Sequence, residues 1–132
     1  MVPEISVVIP ALNEASYVGK TCRAAVQARS VETIVVDGGS RDDTVTEARA
    51  AGALVVHTRP QRAHQMNVGA RKARGRIFCF VHADTRLPPG FDNDIYSALA
   101  RPRAVAGAFR LAIEADHHAA RVVAWGANWR TR

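Results

Sequence analysis

Short apolar runs separated by amphipathic stretches organise the chain. Ile5-Ser-Val-Val-Ile9 is rich in β-branched residues and is followed by Pro10, so it reads as a buried strand that stops at the proline. Thr33-Ile-Val-Val-Asp37 is a second run, closed by the turn cluster Gly38-Gly39-Ser40. Between them, residues 15–29 are Ala-rich and predict a helix with Asn13 as its N-cap. The pattern then repeats. A helix over residues 43–51, introduced by Ser40 and stopped by Gly52, precedes a third strand, Leu54-Val-Val-His57. After the Arg59-Pro60 turn a helix is predicted over 62–73, ended by Gly75, and Ile77-Phe-Cys-Phe-Val81 is the most apolar run of all. Beyond Pro88-Pro89-Gly90 the pattern predicts a helix over 91–100, a strand over 105–113 with one face to solvent, and an amphipathic helix over 117–130.

Continuous apolar strands alternating with helices imply an α/β fold, a mostly parallel sheet flanked by helices on both faces. Right-handed crossovers put every strand's carboxyl end on one edge of such a sheet, which is where ligands of open α/β sheets bind. Pro10 with Asn13 and Glu14, Asp37 with Gly38, and His82 with Asp84 follow the first, second and fourth strands. Positions distant in sequence are thus expected along one crevice.

Composition narrows the classes. With 132 residues, 48% of them hydrophobic, one soluble globular domain is expected, with no internal repeat or linker to mark a boundary. No stretch approaches the roughly 18 apolar residues of a membrane span, and the start of the chain lacks the basic run of a secretory signal. Lys and Arg total 18 against 12 Asp and Glu, a formal charge of +6 that favours phosphate, nucleic acid or anionic lipid as partners. Cys22 and Cys79 lie far apart, without a second Cys or a suitably spaced His near either, which suggests buried, reduced thiols. A phosphate loop of the G-x-x-x-x-G-K-[ST] type, a G-x-G-x-x-G after the first strand, a G-x-S-x-G elbow and an H-E-x-x-H helix are all missing from the sequence. ATPase, dinucleotide dehydrogenase, α/β-hydrolase and zinc protease readings lose their support accordingly.

Asp37 can accept hydrogen bonds from a base or ribose hydroxyl, or it can cap its own turn; Ser40, Asp42 and Asp43 are expected to be structural. Asp84, with His82 two residues earlier, has the minimal grip that Mg²⁺ or Mn²⁺ needs when phosphate oxygens and waters complete the octahedron. His82 is a ligand, a sugar-contacting group or a neutral residue at a strand end. In the Arg- and amide-rich segment 59–72, Arg62 can meet a diphosphate through its guanidinium fork, or simply lie on a solvated face. Asn67 and Gly69 can let that helix pack close to the crevice, and Arg110 is a weaker candidate.

Taken together, Ile5-Ser-Val-Val-Ile-Pro10-Ala-Leu-Asn13-Glu14, Ile34-Val-Val-Asp37-Gly-Gly-Ser40-Arg-Asp42-Asp-Thr44, Gln65-Met-Asn67-Val-Gly69-Ala and Phe80-Val-His82-Ala-Asp84-Thr85 resemble family 2 glycosyltransferases of the Rossmann-like GT-A fold. The His-Ala-Asp triplet in place of D-x-D, with Gly107 to Arg110 and Trp125 to Asn128, resembles a bacterial subgroup. The resemblance implies a nucleotide-diphosphate sugar, UDP- or GDP-linked, bound by Pro10, Asn13, Glu14, Asp37, Gly38, Arg62, Asn67, His82 and Asp84. Asp84 and His82 are then the residues expected at a Mg²⁺ or Mn²⁺ ion. It further implies metal-dependent and inverting transfer to an unknown acceptor, in the cytoplasm or at the periphery of the inner membrane. Gly38 stands where the common motif has a second acidic residue. The catalytic base is expected beyond Arg132, so residues 1–132 are expected to form a single domain lacking its acceptor side, able to self-associate through uncovered surface. The alternatives are a donor-binding but catalytically incomplete fragment and a basic nucleic-acid-binding module; few aromatics and no recognition motif speak against the latter, so nucleic acid is not expected as a partner.

Overall fold

The structure, a computed structural model, describes residues 2–109. Arg110, the end of the strand expected over 105–113, the helix expected over 117–130 and the Trp125 to Asn128 motif lie outside the described residues. The chain divides into two compact units, Met1–Asn93 and Asp94–Arg132. In the first, strands β1 (Ile5–Ala11), β2 (Val31–Asp37), β3 (Leu54–His57) and β4 (Ile77–Phe80) alternate with helices α1 (Val18–Val26), α2 (Thr44–Ala50) and α3 (Arg62–Lys72). Helix α4 (Phe91–Leu99) begins at its end. All strand pairs are parallel, in the order β3-β2-β1-β4.

That order fixes where the helices go. The sheet grows from β1 through β2 to β3, so right-handed crossovers place α1 and α2 on one face; the step from β3 back across to β4 reverses direction and places α3 on the other. Helix α1 packs on α2 and β2, whereas α3 packs on β1 and β2. The core beneath α3 is Val8, Ile34 and Val36, with Val56, Val68 and Ala73 against it. Cys22 and Cys79 are buried free thiols whose pKa values burial pushes up to about 11, that of Cys22 against the opposing charge of Arg23. Their burial is what the sequence predicts, and the raised pKa values keep them as thiols rather than thiolates near neutral pH.

Several sequence expectations change. Strand β1 continues through Pro10 to Ala11. The Val8 carbonyl accepts from Val81 and the Ala11 carbonyl from Gly38, so even-numbered residues of β1 face β4 and odd-numbered ones face β2. Pro10 thus faces the β4 side beyond the last ladder pair, Val8 with Phe80, where no N–H is needed. Asn13 is not the N-cap of α1. The helix starts after Tyr17, and Asn13 takes a positive φ of 53° with its amide committed elsewhere. The sheet is not covered evenly either: α3 lies over β1 and β2, leaving Phe78 and Phe80 of β4 nearly half exposed as an edge-to-face pair. In the second unit, residues 105–109 form no strand. A turn from Arg101 to Ala104, with Arg103 at φ 66°, leads into exposed irregular chain.

Gly75 does not end α3, which already stops at Lys72 with Ala73 extended. Its missing side chain serves close packing, because a Cβ there would sit 2.8 Å from the Ser6 nitrogen and 2.9 Å from the Ile5 carbonyl carbon. The same corner ties three segments together at the amino edge of the sheet. Ser6 Oγ donates to Glu32 Oε1 at 2.5 Å and accepts from the Gly75 N–H at 2.9 Å. The Arg74 N–H donates to Glu32 Oε1 at 2.5 Å, and Arg74 Nε to Oε2 at 3.1 Å. Burial alone would raise the Glu32 pKa, but the Ser6 and Arg74 donors and the Arg74 charge outweigh it and hold the carboxyl below its usual 4.5. A carboxylate depressed in the folded state stabilises the fold above its unfolded pKa, and that contribution is lost as pH falls through the folded value. Glu32→Gln is therefore expected to lower Tm at neutral pH, with the gap to the native chain closing below pH 4.5. Thermal unfolding across that range checks this, and a gap independent of pH would refute the assignment.

Candidate functional site

Three strands end in one line at the carboxyl edge, with Ala11 in register with Asp37 and Asp37 with His57. Strand β4 ends at Phe80, opposite Val8, three residues short of Ala11. The chain leaving β4 therefore runs beside the last residues of β1, at the point where the direction of strand succession reverses. Strands β2 and β4 flank β1, so Asp37 and the 82–84 loop issue from strands two ladder spacings, about 10 Å, apart.

The first two loops are welded to each other. The Asn13 N–H donates to Ser40 Oγ at 2.9 Å, and the Arg41 N–H returns to Asn13 Oδ1 at 2.9 Å. The Glu14 N–H donates to Thr44 Oγ1 at 2.8 Å, and the Ala15 N–H to Asp42 Oδ2 at 3.2 Å. Asp42 also accepts from the Thr44 N–H at 3.0 Å and from the Thr44 hydroxyl. The Thr44 hydroxyl foremost, opposed by desolvation and helped by the Ala15 and Thr44 N–H groups, holds the Asp42 carboxyl below its usual range. The structural role expected of Ser40 and Asp42 is what the loop shows. Asp43 precedes α2 without a side-chain capping bond.

Asp37 is buried, and its carboxylate works locally. Oδ2 accepts from Gly39 N–H at 3.0 Å and Ser40 N–H at 3.1 Å, Oδ1 accepts from Ser40 Oγ at 2.5 Å, and His57 Nδ1 lies 3.5 Å from Oδ2. This shapes the turn in which Gly39 takes a φ of +97°. Gly38, also buried, is tightly packed: a Cβ would meet Pro60 Cα and Gln65 Nε2, each at 3.1 Å, so its neighbours would have to give by a few tenths of an ångström.

Helix α3 begins at the same edge, with Arg62 exposed in its first turn. Its inward positions are Gln65 and Gly69, one turn apart. Asn67 lies two residues from each, roughly 200° around the helix, and faces solvent rather than the sheet. Of Asn67 and Gly69, Gly69 is the one that serves the close approach of α3 to the sheet. Sequence reasoning misses Gln65, whose buried amide donates to the Ala11 carbonyl at 3.0 Å and the Val36 carbonyl at 2.9 Å. In a polar helix, its i, i+4 relation to Gly69 is the one signal that it turns inward.

On the last loop, the Thr85 N–H bonds the His82 carbonyl at 3.0 Å, and Thr21 Oγ1 of α1 holds the Ala83 carbonyl at 2.6 Å. His82 and Asp84 are both exposed. Among the described residues no group of three or more His, Cys, Asp or Glu could hold a metal ion. A carboxylate and an imidazole two residues apart on an anchored turn fit a divalent cation only as a partial shell, with phosphate oxygens and water completing it.

The family model described as glycosyl transferase family 2 matches residues 6–130. The glucosyl-3-phosphoglycerate synthase of Mycolicibacterium paratuberculosis is 37% identical over 96 residues, 64% of this chain and 29% of that protein. An uncharacterized glycosyltransferase of Rickettsia prowazekii is 27% identical over 99 residues, 70% of this chain and 31% of that protein. The crystal structure of glucosyl-3-phosphoglycerate synthase from Mycobacterium tuberculosis in complex with Mn²⁺ and UDP-glucose gives a TM-score of 0.67 at 31% identity, covering 76% of this chain and 40% of that one. The chain thus spans less than half the length of each.

Proposed function

The chain belongs to glycosyl transferase family 2, and from that premise we propose that it holds a nucleotide-diphosphate sugar, UDP-linked as in the Mycobacterium tuberculosis complex, across the carboxyl edge of its sheet. The observation that carries the reading is the placement of two fixed loops at one edge of the sheet: the welded 13–44 rim after β1 and β2, and the anchored His82–Asp84 turn after β4, which ends three residues short of β1. In this reading the nucleoside lies near Asp37, Gly38 and the rim of Pro10, Asn13 and Glu14. Asp37 acts there through the turn it shapes, since its oxygens already accept loop donors.

The diphosphate lies between Arg62 and the His82–Asp84 turn. Arg62 supplies a guanidinium fork to the charge left on the departing diphosphate as the bond to the sugar breaks. Asp84 with His82 would hold Mn²⁺ or Mg²⁺, which when bound supplies further charge compensation at the same oxygens.

Calorimetry with UDP-glucose, UDP and GDP, each with and without Mn²⁺, tests it. Metal-dependent binding of the uridine nucleotides, tighter than of GDP, is expected. A folded sample that binds none of them overturns the reading, and salt-sensitive binding of arbitrary oligonucleotides without metal dependence would favour the basic module instead.

A further inference from the structure

We propose that Gln65 is a positioning residue for the nucleotide site, an amide clamp that sets three of its walls at once; the proposal rests on the donor-binding reading above. Ala11 leads into Asn13 and Glu14, Val36 leads into Asp37 and Gly38, and Gln61 precedes Arg62. All three meet at one side chain. Gln65 Nε2 donates to the carbonyls of Ala11 and Val36, while its Oε1 accepts the Gln61 N–H at 3.2 Å. Both N–H donors and an oxygen lone pair are thereby used, in a residue only 4% exposed, where water does not compete.

The clamp closes the last rung of the β1–β2 ladder. The Ala11 carbonyl it holds also takes the Gly38 N–H at 2.9 Å, and Gly38 packs directly on the amide. Its Gln61 bond fixes the turn from which Arg62 starts. The hydrogen bonds of Gln65 go to Ala11, Val36 and Gln61, none of which is placed at the nucleotide, so it acts through the neighbouring Gly38 and Arg62. An apolar side chain without donors removes the Gln65 bonds to both carbonyls, leaving Ala11 only the Gly38 N–H, and frees the start of α3.

The experiment titrates UDP with Mn²⁺ into the native chain, Gln65→Leu, Gln65→Glu and Ser6→Ala, the last a control at the opposite edge of the sheet. Gln65→Leu is expected to weaken binding about tenfold, while Ser6→Ala lowers Tm and leaves Kd unchanged. Gln65→Glu supplies a readout that mere packing does not move. An ionised carboxylate would face two carbonyl oxygens, whereas a protonated one recovers a donor. Its Kd relative to the native chain is therefore expected to improve between about pH 8 and about pH 5.5, the range into which burial lifts such a group. If Gln65→Leu does not fold, this pH comparison decides. A native chain that binds while Gln65→Leu stays within twofold of it, or a Gln65→Glu penalty independent of pH, overturns the proposal. A native chain that binds no nucleotide overturns the donor-binding reading, and this proposal with it.

Discussion

Gly69→Ala is expected to destabilise the fold by about 2–3 kcal/mol, although it replaces glycine by the best helix former. In an exposed helix that exchange would gain up to about 1 kcal/mol. At position 69 the new Cβ would fall well inside contact distance of Val8 Cγ1 and 3.0 Å from Val36 Cγ2. Both valines are fully buried, and branching at Cβ leaves neither a free rotamer to retreat into. Nor can α3 simply lift off the sheet, because Gln65 one turn earlier is bonded to the Ala11 and Val36 carbonyls. The steric cost therefore wins over the propensity gain. Urea unfolding checks this: a midpoint shift of the stated size with an unchanged slope is expected, and a variant as stable as the native chain would mean that α3 does not sit this close to β1 and β2.

The element order follows from sequence because apolar runs of strand length alternate with amphipathic helices, and crossover handedness leaves little freedom once the sheet is parallel. Local chemistry misleads where a long-range partner wins. Asn13 has the composition of an N-cap, yet its amide takes the Arg41 N–H from the neighbouring loop. Pro10 should end a strand, yet it faces the side of β1 where pairing with β4 has already ceased. Gly75 reads as a helix stop, and its real constraint is the Ser6 and Ile5 backbone against which it packs. Each depends on what lies across the sheet, which a window of sequence does not contain.

The candidate site is legible to the same degree. That residues after β1, β2 and β4 share one edge follows from topology alone. What each side chain does there does not. Asp37 reads equally as a ligand group or as a turn former, and in the fold its oxygens are taken by Gly39 and Ser40. Asn67 belongs to the right helix but to its solvent face. For Gln65 the spacing to Gly69 signals an inward side chain, but its partners emerge only when the strand ends it bridges are placed side by side.

Asp84→Asn is expected to abolish the metal dependence of UDP binding, whereas Asp42→Asn leaves it intact. The two carboxylates are both exposed and both follow strands, and their surroundings separate them. Asp42 accepts from the Thr44 hydroxyl and from the Thr44 and Ala15 N–H groups, so its lone pairs already serve the rim, and an amide there disturbs the loop rather than a cation. Asp84 makes no hydrogen bond or ion pair with any described residue, on a turn held in place by Thr21 and Thr85. Its charge is therefore available, and a hard divalent cation that keeps most of its shell as phosphate oxygen and water depends on that charge more than on any neutral donor. Asparagine keeps the size and one carbonyl oxygen while removing the charge. The quantity to measure is the ratio of Kd without Mn²⁺ to Kd with it. A ratio on the order of 10–100 is expected for the native chain and for Asp42→Asn, falling to about one for Asp84→Asn. A ratio preserved in Asp84→Asn would move the cation away from this turn, and would leave the His82–Asp84 loop as a border of the strand edge rather than its charged corner.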